Sequence, residues 1–154
     1  VVFSGTNELA EEYLHGLDLL ASLRLCSNVP GQWGVQTALG GYQSLKELVR
    51  PGGRLYESRA AVLAAVEASP YLTLVTPGGS MYAFIGVNDE LMPDFDDYRF
   101  ALELLESKHV LVAPGSSFNV DYRNYFRFTF LPDAETMQDV FMRMDEVLGT
   151  MSGT

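Results

Sequence analysis

The sequence predicts a two-layer α/β domain in which helices cover a small, mostly antiparallel sheet, with further helices ahead of it. Two observations carry that expectation. Apolar residues recur at helical spacing in five stretches, and two pairs of short β-type runs are each joined by a turn. The resulting order, α-α-α-β-β-α-β-β-α, fits two packed layers. With 154 residues and 47% hydrophobic content the chain can bury a real core.

Taken in order, Leu9, Tyr13, Leu17, Leu20 and Leu23 trace an apolar stripe. The helix that carries it is expected to start at Thr6 or Asn7, with Glu8, Glu11 and Glu12 favouring its positive end. The stretch "CSNVPGQWG" breaks it, and a second helix is expected over about 33–42. After the "RPGG" interruption at 50–53, residues 54–68 are strong helix formers with Leu55, Val62, Leu63 and Val66 on one side. "YLTLVT" and "MYAFIGV", joined by "PGGS", predict a hairpin. Asp94 is expected to cap a helix that turns Phe95, Tyr98, Leu102 and Leu105 inward. "HVLVAP" and "YFRFTF" predict strands either side of the "GSSFN" turn. Asp133 then caps a last helix with Met137, Val140, Phe141, Met144 and Leu148 as its buried stripe.

Several functions are disfavoured by composition. A net charge of −10 argues against nucleic-acid and anionic-membrane partners, which want a basic face. No apolar run approaches the roughly 18 residues that span a bilayer, and no signal-peptide pattern is present. The single cysteine, Cys26, cannot close an intrachain disulfide and reads as a small buried hydrophobe. Together these features favour the cytoplasm. No metal site is expected, since His15 and His109 are far apart and no CxxC or HExxH occurs. The glycine pairs at 52–53 and 78–79 lack phosphate-loop context and read as turns.

Arg127 stands out. It interrupts the apolar run "NYFRFTFLP", and a guanidinium there must meet an anion. That anion is either one of the 20 Asp and Glu or the carboxylate or phosphate of a ligand, gripped bidentately.

The blocks "LRLCSNVPGQWGVQTALGGYQS", "LVRPGGRLYESR", "GGSMYAFIGV", "HVLVAPGSSFN" and "YFRFTFLPD" occur in an order and spacing that resembles a known family. The resemblance is to the C-terminal third of class I pyridoxal-phosphate aminotransferases, in the bacterial glutamate–pyruvate (alanine) branch. It runs from about residue 6 to 149.

The resemblance implies the small C-terminal domain of a fold type I pyridoxal 5'-phosphate transferase over residues 46–154. Residues 1–45 would be the terminal helices of the large domain and the interdomain helix. It implies that Arg127 binds the α-carboxylate of the substrate, and it makes Ser27 and Asn28 candidate active-site or interface contacts. Amino acids and 2-oxo acids, alanine, glutamate, pyruvate and 2-oxoglutarate among them, become the expected substrates, and a homodimer the expected assembly.

The Schiff-base lysine departs from the pattern. The two lysines, Lys46 and Lys108, lack the Ser-x-x-Lys context, so that residue is expected upstream of Val1 and the chain alone is expected not to transaminate. A start at Val1, without a methionine, fits a piece of a longer protein on this reading, and its exposed helices would drive self-association. The alternatives are a stand-alone α/β module that binds an amino acid or another small carboxylate for regulation, and a dimerisation piece without a ligand.

Overall fold

The computed structural model describes residues 8–153, and its contacts divide the chain between Ser44 and Leu45 into two compact units.

The first unit holds α1 (Glu8–Arg24) and α2 (Val29–Gly40). The expected start of α1 at Thr6 or Asn7 lies outside the described residues. Leu14 and Leu17 are half-buried, whereas Tyr13, Leu20 and Leu23 of the expected stripe are exposed. α2 starts four residues earlier than the sequence suggested. Asn28 caps it, its Oδ1 accepting from the Gly31 amide at 2.9 Å. Pro30 then falls in the first turn, where its missing N–H costs nothing, so the proline opens this helix instead of blocking it. No described residue of α2 is buried, and Trp33 is 77% exposed. Cys26 is exposed too, against its expected burial.

The second unit holds everything else. After the short α3 (Leu45–Leu48), Gly52 supplies a positive φ of 82° to the "RPGG" turn. α4 (Arg54–Ala68) follows and buries Ser58, Val62 and Val66, with Leu55 and Leu63 half-buried beside them. The sheet consists of β1 (Leu72–Leu74), β2 (Tyr82–Val87), β3 (Ala113–Pro114) and β4 (Tyr125–Thr129), in the order β1-β2-β4-β3. Every neighbouring pair is antiparallel. The hairpin between β1 and β2 forms with Leu72 opposite Val87, but its loop is longer than "PGGS" because the exposed Val75 has left the ladder. Only Ala113 and Pro114 of the expected "HVLVAP" strand pair with β4, while His109 caps the preceding helix at φ 56°.

α5 (Asp97–Lys108) corrects the expected cap and the expected face. Asp96 is the cap, its carboxylate accepting from the Arg99 amide at 2.8 Å. The buried positions are Asp97, Phe100, Ala101 and Leu104, a helical i, i+3, i+4, i+7 set; of the expected inward residues Phe95, just ahead of the helix, is buried, while Tyr98, Leu102 and Leu105 are exposed. A charged residue heads the true stripe, which is why an apolar pattern pointed to the wrong phase.

α6 (Ala134–Ser152) starts at its expected cap, Asp133, which accepts from the Thr136 amide at 2.9 Å. It buries Met137, Phe141, Met144, Val147 and Leu148, with Val140 half-buried. α4 packs on α6 and β1, and α5 packs on α6 and β4. Phe126 and Phe128 of β4 reach into this layer, their rings 5.2 Å from those of Phe100 and Phe141. Each fully buried side chain of that kind contributes about 1.5–3 kcal/mol.

Candidate functional site

β4 has two faces of opposite character. Phe126 and Phe128 are buried under the helices, while Tyr125, Arg127 and Thr129 alternate with them onto the other side. The strand is therefore half core and half open face, and this resolves the paradox of a guanidinium in an apolar run.

Arg127 sits opposite Phe84 of β2 on one side and Ala113 of β3 on the other, so its backbone is held by two ladders. Its guanidinium carbon lies 4.5 Å from the centre of the Tyr82 ring and 4.7 Å from that of Phe118. Tyr82 comes from β2, and Phe118 from the short 3-10 turn Gly115–Phe118 that follows β3. Ring contacts of this kind fix the plane of the fork without using its N–H donors. Beside them, Phe84 stacks on Tyr125 at 5.2 Å and Tyr122 lies 4.7 Å from Tyr125. The aromatic wall and Arg127 line a depression of about 680 Å³, and a second of about 420 Å³ meets it at Tyr82 and Arg127.

Among the described residues the fork has no acceptor. Arg50 and Arg143 pair with Glu47 and Asp139, while Arg54 and Arg59 donate to the carbonyls of Leu131 and Pro77. Arg24, Arg99 and Arg123 are exposed to water. Arg127 is half-buried, yet among the described residues its guanidinium makes no ion pair and donates no hydrogen bond. Asp89 lines the same depression but does not pair with it. Such a fork is free to grip a small carboxylate through two parallel N–H donors.

Ser27 and Asn28 belong to the first unit, between α1 and α2. Asn28 spends its side-chain oxygen on the α2 cap, and the Ser27 carbonyl accepts from Gln32 Nε2 at 3.4 Å. The lysines are engaged elsewhere: Lys46 lies exposed on α3, and Lys108 pairs with Glu146 of α6 in the helical layer. The hydrogen bond from Lys108, and then its charge, hold the Glu146 carboxyl below its ordinary range. Among the described residues no three His, Cys, Asp or Glu side chains gather to hold a metal ion, and no helix is long and apolar enough to cross a membrane.

Sequence reading missed Tyr82, Phe84 and Phe118 as companions of Arg127. A signal for the first two was present, because period-2 alternation puts Tyr82 and Phe84 on one face of β2. Nothing local marked Phe118, which arrives through the turn.

A four-stranded antiparallel sheet with helices on one side is consistent with the small α/β C-terminal domain of fold type I aminotransferases. The family model "Aminotransferase class I and II" matches residues 9–143, and the chain belongs to that family. It is 38% identical over 138 residues to the glutamate-pyruvate aminotransferase AlaA of Escherichia coli, covering 90% of this chain and 34% of that protein. It is 36% identical over 148 residues to an alanine aminotransferase of Mycobacterium bovis, covering 96% and 34% respectively. The crystal structure of an Escherichia coli aminotransferase matches with a TM-score of 0.80 at 36% identity, over 96% of this chain and 37% of that one. An alanine aminotransferase from Pyrococcus furiosus matches with a TM-score of 0.74 at 30% identity, over 94% and 35%. The chain thus spans about a third of the length of the curated relatives it matches.

Proposed function

We propose that this chain is the C-terminal part of a pyridoxal-phosphate-dependent aminotransferase that moves an amino group between alanine or glutamate and pyruvate or 2-oxoglutarate. In this reading Arg127 holds the substrate α-carboxylate. The observation that carries it is the half-buried guanidinium with no acceptor of its own among the described residues. The names of the relatives support the substrate class. Amino donor and oxo acceptor share an α-carboxylate, so one anchor serves both half-reactions.

The described residues do not fit the cofactor. Lys108 is tied to Glu146 and Lys46 is exposed on α3, so neither lysine stands ready for a Schiff base. That lysine, and the groups for the cofactor's phosphate and pyridine nitrogen, are proposed to lie outside these 154 residues. Residues 1–45 would close the large domain, and the exposed Leu20, Leu23, Trp33 and Leu39 support a surface meant to be covered. Ser27 and Asn28 would then lie near the mouth of the site, in a cytoplasmic homodimer.

The test uses the full-length holoenzyme. Its visible cofactor absorbance should bleach with L-alanine and return with 2-oxoglutarate. Arg127→Ala should demand at least about 30-fold more alanine, the low end of the roughly 2–5 kcal/mol that a desolvated charge pair carries. Arg127→Lys keeps the charge but not the fork and should fall between. Bleaching of Arg127→Ala at wild-type alanine concentrations would remove Arg127 from the site. A wild-type enzyme that ignores alanine and glutamate would remove the substrate assignment.

A further inference from the structure

Asp97 is the one carboxylate fully buried among the described residues, and it does not line the depression around Arg127. It occupies the first position of α5, where the positive end of the helix tolerates a negative charge. Both oxygens are engaged by one residue across the core. The Ser116 amide donates to Oδ2 at 2.6 Å, and the Ser116 hydroxyl donates to Oδ1 at 3.2 Å. Ser116 belongs to the Gly115–Phe118 turn, and two residues further on is the Phe118 ring, 4.7 Å from the Arg127 guanidinium.

Phe118 is 39% exposed, so burial alone does not decide where its ring sits. Its side chain meets the sheet face edge-on, against Phe84 at 6.0 Å. The backbone of the turn must therefore set the ring, and Asp97 is the group that pins that backbone from inside. The turn leaves its far end in a left-handed residue, Asn119 at φ 56°, which fixes its exit as well.

We propose that Asp97 is a positioning residue for the anchor: by clamping Ser116 it holds the Phe118 ring against Arg127 and so sets the plane in which the fork meets a carboxylate. The inference rests on the substrate-anchoring reading of Arg127. It adds a buried carboxylate on α5 that never touches the ligand. A core group with only a stabilising role would alter unfolding temperature. A positioning group must also move Arg127.

Two measurements decide it. In the full-length enzyme without substrate, the Phe118 ring current falls on the Arg127 Nε–Hε proton, which an arginine-selective nitrogen–proton spectrum resolves. Phe118→Leu defines the signal position without the ring, and Asp97→Asn should move the signal toward it. In the full-length enzyme, Asp97→Asn should raise KM for both amino acid and oxo acid about three- to tenfold, the loss expected for one misplaced ring contact, with kcat nearly unchanged. The double variant Asp97→Asn/Phe118→Leu should be no worse than the worse single one, because both act through the same ring.

An Arg127 signal that stays put in Asp97→Asn while Phe118→Leu shifts it overturns the proposal, as does full additivity of the two KM effects. Should Asp97→Asn fail to fold, Asp97→Ser retains one acceptor and carries the same two readouts. If Arg127→Ala leaves KM untouched, the anchoring reading fails. The substrate-free spectrum of the full-length enzyme still shows whether Asp97 governs the ring.

Discussion

Gly115→Ala tests how tightly the fold carries the site. Gly115 is buried at the corner between β3 and the turn that delivers Phe118. A Cβ placed there would stand 2.5 Å from the Tyr125 carbonyl oxygen and 3.0 Å from its carbon, where ordinary contact begins at 3.4 Å. Both atoms are backbone, so no side chain can swing aside. Tyr125 is paired with Gly86 of β2, and the next residue, Phe126, is fully buried and paired with Pro114. β4 cannot yield, so the turn must move by the missing 0.9 Å. Overpacking of this kind costs about 1–3 kcal/mol. At this chain length that lowers the melting temperature by roughly 3–10 °C. Gly78→Ala is the control: nothing lies within 4 Å of its added methyl, and it should be neutral or slightly stabilising through the unfolded state. Thermal and urea unfolding of the two variants side by side would measure the difference. Equal stability of Gly115→Ala and Gly78→Ala would refute the reasoning, and with it the claim that the turn is clamped to β4.

Other expectations follow from the same geometry. Phe100→Ala removes a fully buried ring between Phe95 and Phe126 and should cost about 3–5 kcal/mol. Tyr98→Ala, on the face first expected to be inward but 66% exposed, should cost under about 0.5 kcal/mol, and a reversal in urea unfolding would restore the earlier phase of α5. For Glu146, folding lowers the pKa through the Lys108 hydrogen bond and charge. A lowered folded-state pKa means the contribution is complete above the unfolded value and fades as pH falls through the folded one. Melting curves of wild type and Glu146→Gln should therefore converge in acid, and a gap that widens on acidification would contradict this.

The legible parts of the sequence were those where periodicity and chemistry agree. α6 showed its cap, Asp133, and its stripe because every buried position is apolar. α5 did not, since its stripe begins with Asp97, whose burial is balanced by Ser116 from a distant segment. The start of α2 is hidden in the sequence because Pro30 has the look of a breaker, whereas the Asn28 cap makes it a first-turn residue. "HVLVAP" has the alternation of a full strand, with Val110 and Val112 buried and Leu111 exposed, but extended chain becomes ladder only where a partner runs alongside. Arg127 itself was conspicuous. Its lack of an internal acceptor was not, since that depends on where every carboxylate ends up.

In the proposed reading of Arg127 as a carboxylate anchor, its position also accounts for how an acidic chain would present a cation to an anion. With a net charge of −10, the long-range field repels a carboxylate, and only a short-range contact can hold one. Such a contact needs partial desolvation and a fixed orientation. An exposed arginine such as Arg123 has neither, and a surface pair such as Arg143 with Asp139 is already neutralised. β4 offers both. Its ladders to β2 and β3 hold the Cα, Tyr82 and Phe118 shield the fork from water, and the N–H edges stay unspent. The cost of keeping a half-buried charge with no counter-ion among the described residues falls on the sheet, and the helical layer of Phe126, Phe128, Phe100 and Phe141 on its other side offsets it.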